Sequence, residues 1–292
     1  MLMHLIIFMW GFTGILGKLI HLESLVIVWH RVLIAFLALG FFMIIRKYPM
    51  KASNWKSVLK LIGVGIIVAM HWITFYKSIQ LSTASLGILC LSTTTLHVTW
   101  LEPLVMKRPF QWIEFLLGLL VIFGIYFVSS DFKPNEYEAL AYGLISALCA
   151  AFFSVFNAKL AQDIPTPTIT LFEMLTGFIF ISVVLIFQGR FTTELFIMTQ
   201  SDFLWLLFLG ILCTSFAFLV TIEIVKMLGA FTVSLSINLE PIYTILLAIF
   251  ILNEHTLLNN KFYWGAALII FVVAINAWIK NRQKKAELKK LS

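Results

Sequence analysis

Residues 203–222 read FLWLLFLGILCTSFAFLVTI, twenty positions without a single charge. An α-helix rises 1.5 Å per residue, so about 20 apolar residues cross the roughly 30 Å hydrocarbon layer of a bilayer. Working outward, residues 1–17, 78–101, 139–158 and 262–279 are equally free of charge. The remaining apolar stretches are broken or bounded by one ionisable residue. Period-2 alternation is absent, and backbone groups in lipid must pair within their own segment or in a closed barrel. The sequence therefore predicts ten transmembrane helices, at about 2–20, 25–45, 58–78, 83–106, 112–130, 139–160, 168–188, 203–225, 230–252 and 262–280.

Composition agrees. The chain is 61% hydrophobic and 12% charged, with a mean hydropathy of +0.99; an ordinary soluble protein has about 25% charged residues. The connections are short, which leaves no soluble domain. Any chemistry happens inside the bundle or at its two mouths. The first apolar run has no basic n-region and no small-residue cleavage site, so it reads as a retained span rather than a signal peptide.

The net charge of +7 is distributed by side and does not mark a nucleic-acid partner. With the N-terminus inside, fifteen basic residues are cytoplasmic: Arg46, Lys47, Lys51, Lys56, Lys60, Lys107, Arg108, Lys159, Lys226, Lys280, Arg282, Lys284, Lys285, Lys289 and Lys290. Five are outside: Lys18, Lys77, Lys133, Arg190 and Lys261. This bias places both termini in the cytoplasm. The basic tail, residues 281–292, suits anionic lipid headgroups. Cys90, Cys149 and Cys213 lie far apart inside spans and read as packing residues.

The chain repeats itself weakly. Gly118 falls on Gly265 and Gly63 on Gly210 at an offset of 147 residues; Lys18 meets Lys159 and Arg31 meets Glu173 at 141 to 142. Each half has five spans. An odd number threads the second half in the opposite sense, which gives two inverted five-helix repeats, 1–130 and 139–280. Inverted repeats are a common build of secondary transporters, with the binding site near the midplane between the halves.

Several motifs then carry a family resemblance. They are Trp10-Gly11-Phe12-Thr13-Gly14 with Lys18 at the helix end, Arg31 in the second span, Asn238-Leu239-Glu240-Pro241, Leu252-Asn253-Glu254, and Gly265-Ala266-Ala267-Leu268-Ile269. In this order they resemble two copies of the EamA-like domain of the drug/metabolite transporter superfamily. The resemblance implies ten helices, a central cavity, and export or exchange of small metabolites across a bacterial inner membrane. Two positions depart from the family pattern. Asn253 stands where the turn carries Gly, and Lys107 stands at the first-copy match of Glu254.

The intramembrane polar residues are the candidate pathway. Arg31 would hold a carboxylate or phosphate by bidentate hydrogen bonds, or would snorkel to the headgroups and tie helices together. Glu173, its repeat equivalent, would lie across the midplane from it, not beside it. Glu240 lies mid-span next to Pro241, which removes a backbone donor and favours a kink lined by protein or water. An acid there can bind a cation, an amine or a proton, or can simply satisfy the freed carbonyls. Glu102-Pro103 looks like a second such element near the cytoplasmic end of its span. His71, Trp72 and Tyr76 on the third span, with Thr94, His97 and Trp100 on the fourth, form a polar and aromatic stripe suited to a cavity. Asn157, Ser215, Glu223 and Asn238 add polar contacts from the second half. Gly11, Gly14 and Gly17 share a helix face, and with Gly63/Gly65 and Gly118/Gly124 they allow close helix approach.

No catalytic set, metal-ligand spacing or cofactor motif is present in the sequence. It therefore reads as a transporter, not an enzyme, with a small-molecule solute (an amino acid, a related metabolite or a drug-like compound), membrane lipids and, as coupling ion, protons as its partners. An intramembrane enzyme acting on a lipid-borne substrate is the alternative. A monomer or a dimer is compatible with ten spans.

Overall fold

The structure is a computed structural model, describing residues 2–50, 54–107, 109–129, 132, 134–220 and 239–291. The described residues form helices α1 (Leu2–Leu19), α2 (Ser24–Ile45), α3 (Trp55–Leu81), α4 (Ala84–Leu91), α5 (Thr94–Met106), α6 (Trp112–Ser129), α7 (Pro134–Leu160), α8 (Thr166–Phe187), α9 (Gln200–Leu207), α10 (Glu240–Leu252) and α11 (Asn260–Leu291). No strand occurs among them. Helix α9 continues as a π-helical segment, Phe208–Phe216, within one apolar stretch that runs to Val220. Among the described residues, seven helical stretches are long and apolar enough to span a membrane, and three more apolar helices are shorter. This is a multi-pass, all-α membrane protein.

The helix starts follow local chemistry. The side chain of Asn54 caps α3 at the Ser57 amide, Thr83 caps α4 at the Leu86 amide, and Thr199 and Asp202 close a capping box on α9. Each satisfies backbone amides that a helix start leaves unpaired. Large apolar side chains face outward along the helices, among them Phe41, Phe187, Phe250 and Trp264. In water such a surface would be an aggregation hazard. In lipid it is the solvated face.

The fourth span differs from the single helix expected at 83–106. It breaks at Ser92–Thr93, between α4 and α5. The hydroxyls of Thr93 and Thr95 donate to the carbonyls of Cys90 and Ser92, and the Ser92 and Thr93 amides bond three residues back instead of four. A run of hydroxyl side chains thus offers the backbone an alternative to the regular ladder. Pro103 sits inside α5 without ending it, so Glu102-Pro103 is not where this span breaks. The first part of the expected ninth span, including Asn238, lies outside the described residues, as do Glu223 of the eighth and Lys133. The helix beyond begins at Glu240, with Pro241 in its first turn, where a missing backbone donor costs nothing. Both α5 and α10 are 13 residues long, and each ends on a left-handed residue, Lys107 (φ 55°) and Asn253 (φ 54°). Helix α11 runs on through the basic tail to Leu291.

Packing joins the two halves of the chain. Helix α2 lies against α8, α6 against α11, α1 against α10, and α7 against α4 and α5. Helix α3 packs along α7 and α8, and the π segment packs along α2. Small residues set the closest crossings. A Cβ at Gly65 would meet Thr176 Cβ at 2.7 Å and Glu173 Cα at 3.1 Å; one at Gly210 would meet Ile34 Cγ2 at 2.6 Å and the Arg31 carbonyl at 3.3 Å. Gly124 and Gly265 face one another across α6 and α11 in the same way. Gly11 and Gly14 meet Thr244, and Gly118 meets Leu96. Gly63 departs from the expectation, since a Cβ there has nothing within 4 Å among the described residues.

Candidate functional site

Arg31 is the centre of the polar interior. It is 3% exposed and lies about two turns into α2. Its Nε donates to Thr214 Oγ1 of the π segment (3.0 Å), and its Nη1 donates to the Tyr76 hydroxyl on α3 (3.1 Å). The guanidinium carbon lies 3.9 Å from the centroid of the Trp72 ring. A guanidinium stacked on indole is the strongest of the aromatic cation contacts. The side chain turns inward to three neighbours instead of outward to headgroups, and it ties α2 to α3 and to the π segment. Two of these, Trp72 and Tyr76, one helical turn apart on α3, were legible as part of a stripe.

Among the described residues, Arg31 forms no ion pair. It interacts electrostatically with the carboxylate of Glu240, at the first turn of α10. Among the described residues, no hydrogen-bond donor reaches the Glu240 carboxylate, which is only partly buried. Thr244, one turn on, donates to the Gly11 carbonyl and to that of Glu240 itself, which fixes the start of α10 against α1. A buried cation and a partly buried carboxylate thus interact electrostatically with no hydrogen bond or ion pair between them.

The other candidates divide. His71 does not join Arg31 by contact. Its Nδ1 is 2.9 Å from both the carbonyl and the hydroxyl of Ser146, and that hydroxyl also lies 2.9 Å from the His71 carbonyl. His71 thereby ties α3 to α7. Thr94 donates to the Ala147 carbonyl and ties α5 to α7. His97 lies edge-on to Trp100 at the partly exposed face of α5. Glu173 is 2% exposed and accepts from Asn157 Nδ2 at 2.6 Å; no hydrogen bond or ion pair joins it to Arg31. Thr214 was not singled out from the sequence, because nothing in an unbroken apolar run marks a π segment.

A second buried carboxylate does a different task. Glu254, in the turn after α10, accepts from the amides of Ala84 (2.7 Å) and Ser85 (3.1 Å) at the start of α4. Lys18, at the end of α1, donates to the Ser82 carbonyl beside it and interacts electrostatically with Glu254. Four elements, α1, α3, α4 and α10, are joined at this end of the bundle.

The model of the EamA-like transporter family matches twice, over residues 1–130 and 138–278. The chain belongs to that family. It is 23% identical over 292 residues to an uncharacterized transporter, YxxF, of Bacillus subtilis (strain 168), an alignment that covers 99% of this chain and 91% of that one. A solved crystal structure shares its fold with a TM-score of 0.68 at 15% identity, covering 96% of this chain and 97% of the other. EamA-like proteins are transporters, which sets aside the intramembrane-enzyme alternative. This chain is a membrane transporter of the drug/metabolite superfamily, and its partner is a small-molecule solute.

Proposed function

We propose that this EamA-like protein is a secondary exporter that moves a small solute past Arg31 and Glu240 by alternating access, with protons as the exchanged ion. The observation that carries the reading is a pair of opposite charges that interact electrostatically, each without a counter-ion in contact among the described residues. A charge inside the membrane is costly without a counter-ion, which a bound solute would supply to the buried Arg31 and the partly buried Glu240. Arg31 offers part of its guanidinium to a carboxylate or another oxyanion. Glu240 offers a carboxylate to an amine or a proton. A solute with both groups, an amino acid or a related metabolite, fits the two ends.

Two inverted halves, residues 1–130 and 139–280, supply the motion. The equal helices α5 and α10, with their left-handed end residues, are related by one offset of 146 residues (94 to 240 and 107 to 253). The crossings at Gly65 and Gly210 support a repeat but correct its register: Glu173 and Thr176 stand to Gly65 as Arg31 and Ile34 stand to Gly210, so Gly65 rather than Gly63 is the counterpart of Gly210, at an offset of 145. Lys18 and Lys159 each donate to a backbone carbonyl near a helix end. The distribution of basic residues supports a cell inner membrane location with both termini cytoplasmic, and a tail at residues 281–292 resting on anionic lipid. A single chain is sufficient to enclose the pathway.

The test is proton-coupled flux in proteoliposomes, screened across amino acids, sugars, nucleosides and organic cations with an internal pH dye. Glu240→Gln abolishes coupled flux while its thermal unfolding in detergent stays near that of the wild type. Full proton-coupled flux in Glu240→Gln would remove the acid from the mechanism.

A further inference from the structure

We infer that Thr214 is a positioning residue that sets which edge of the Arg31 guanidinium is offered to the solute. The inference rests on the transport reading above for the solute, but its geometry stands alone. Thr214 lies in the π-helical segment Phe208–Phe216. Its hydroxyl has one proton to give, and it gives it to the Leu209 carbonyl five residues back, at 2.8 Å. A hydroxyl on a regular helix bonds three or four residues back. The wider turn carries the side chain round to α2.

The proton being committed, the remaining lone pairs of Thr214 can only accept. One of them takes the Arg31 Nε–H at 3.0 Å. The neighbouring residues hold the same register. Ser215 bonds both the Gly210 carbonyl, five residues back, and the Ala35 carbonyl one turn along α2, each at 3.1 Å. Gly210 leaves room for α2 to approach at Arg31 and Ile34. Segments of π-helix are rare and occur often at functional sites. Here the segment supplies an oriented acceptor.

The consequence is a choice of edge. A guanidinium can bind an oxyanion side-on through Nε and one Nη, or end-on through its two Nη atoms. Thr214 occupies Nε, Tyr76 takes one proton of Nη1, and Trp72 covers a face. Among the described residues no partner takes a proton of Nη2, and with Nε committed the end-on edge is the one left to an oxyanion. Thr214 thus directs the solute oxyanion to the Nη atoms and keeps the guanidinium from turning on the Trp72 ring.

The test uses the full-length protein in detergent with 15N-labelled arginine. The chain has five arginines, so the Arg31 Nε–H resonance is assigned by its loss in Arg31→Lys. Without ligand, Thr214→Val speeds solvent exchange of that proton about tenfold, the change expected on removing a buried acceptor, and Thr214→Ser keeps it slow. Benzoate is the oxyanion probe and benzamide its neutral control. In the wild type benzoate shifts the Arg31 resonances and benzamide does not. In Thr214→Val the benzoate Kd rises about tenfold, and Thr214→Ser restores it. Unchanged exchange in Thr214→Val, or exchange equally fast in Thr214→Ser, overturns the positioning role. Should benzoate move nothing in the wild type while the exchange result holds, the oxyanion reading of the site fails and the Thr214 tie stands. If Thr214→Val does not fold, Thr214→Cys, a weaker acceptor of similar size, takes its place with the same expected outcomes.

Discussion

Glu254 holds Ala84 across the two halves of the chain. Its carboxylate, 2% exposed, accepts the first amides of α4 from a turn that follows α10. The start of a helix carries partial positive charge and unpaired donors, so a carboxylate there is stabilising. Glu254→Ala leaves two buried amides unsatisfied. Thermal unfolding in detergent should show a loss of about 1–3 kcal/mol, with Glu254→Gln, which keeps one acceptor, losing less.

Gly63 and Gly65 lie two residues apart on α3 and predict opposite outcomes. Gly63→Ala meets open space and removes the entropic cost of glycine in a helix, so it is neutral or stabilises by about 0.5–1 kcal/mol. Gly65→Val drives a branched side chain into Thr176 and the α8 backbone and costs about 1–3 kcal/mol. Gly210→Val should resemble Gly65→Val. Melting temperatures of the three variants check the ordering.

Arg31→Lys keeps the charge and loses the fork. A lysine cannot bond Thr214 and Tyr76 while lying flat on Trp72. Solute affinity should fall about tenfold or more with the fold intact, as read by ligand-induced thermal shift. Tyr76→Phe removes a single acceptor and should produce a smaller loss.

The bilayer-spanning architecture was readable because the hydrocarbon thickness sets a length of apolar sequence, and runs such as 203–222 meet it without a charge. Arg31, Trp72, Tyr76 and Glu240 could be named as polar groups out of place in such runs. Their grouping could not be read, since Thr214 and Tyr76 reach Arg31 from other helices through tertiary packing alone. His71 and Thr94 have the same composition signal but serve as ties to α7. The break at Ser92–Thr93 carries no Pro or Gly, and a hydroxyl run ends a helix only where its carbonyl partners come into range. The motif at Leu252-Asn253-Glu254 was visible; that Glu254 reaches the start of α4 was not, because the contact crosses the two halves. Asn253 adopts the left-handed conformation that glycine favours, a substitution asparagine tolerates better than most residues.

Two halves that close alternately around Arg31 and Glu240 must move their two mouths in opposite senses. Distances between spin labels on two exposed pairs in nanodiscs, in a background with the native cysteines replaced, measure that movement. The pair His21→Cys and His255→Cys reports one mouth; Pro109→Cys and Gln162→Cys reports the other. Changing pH should lengthen one distance in the same fraction of molecules in which the other shortens. Both distances unchanged, or both lengthening together, would contradict the account.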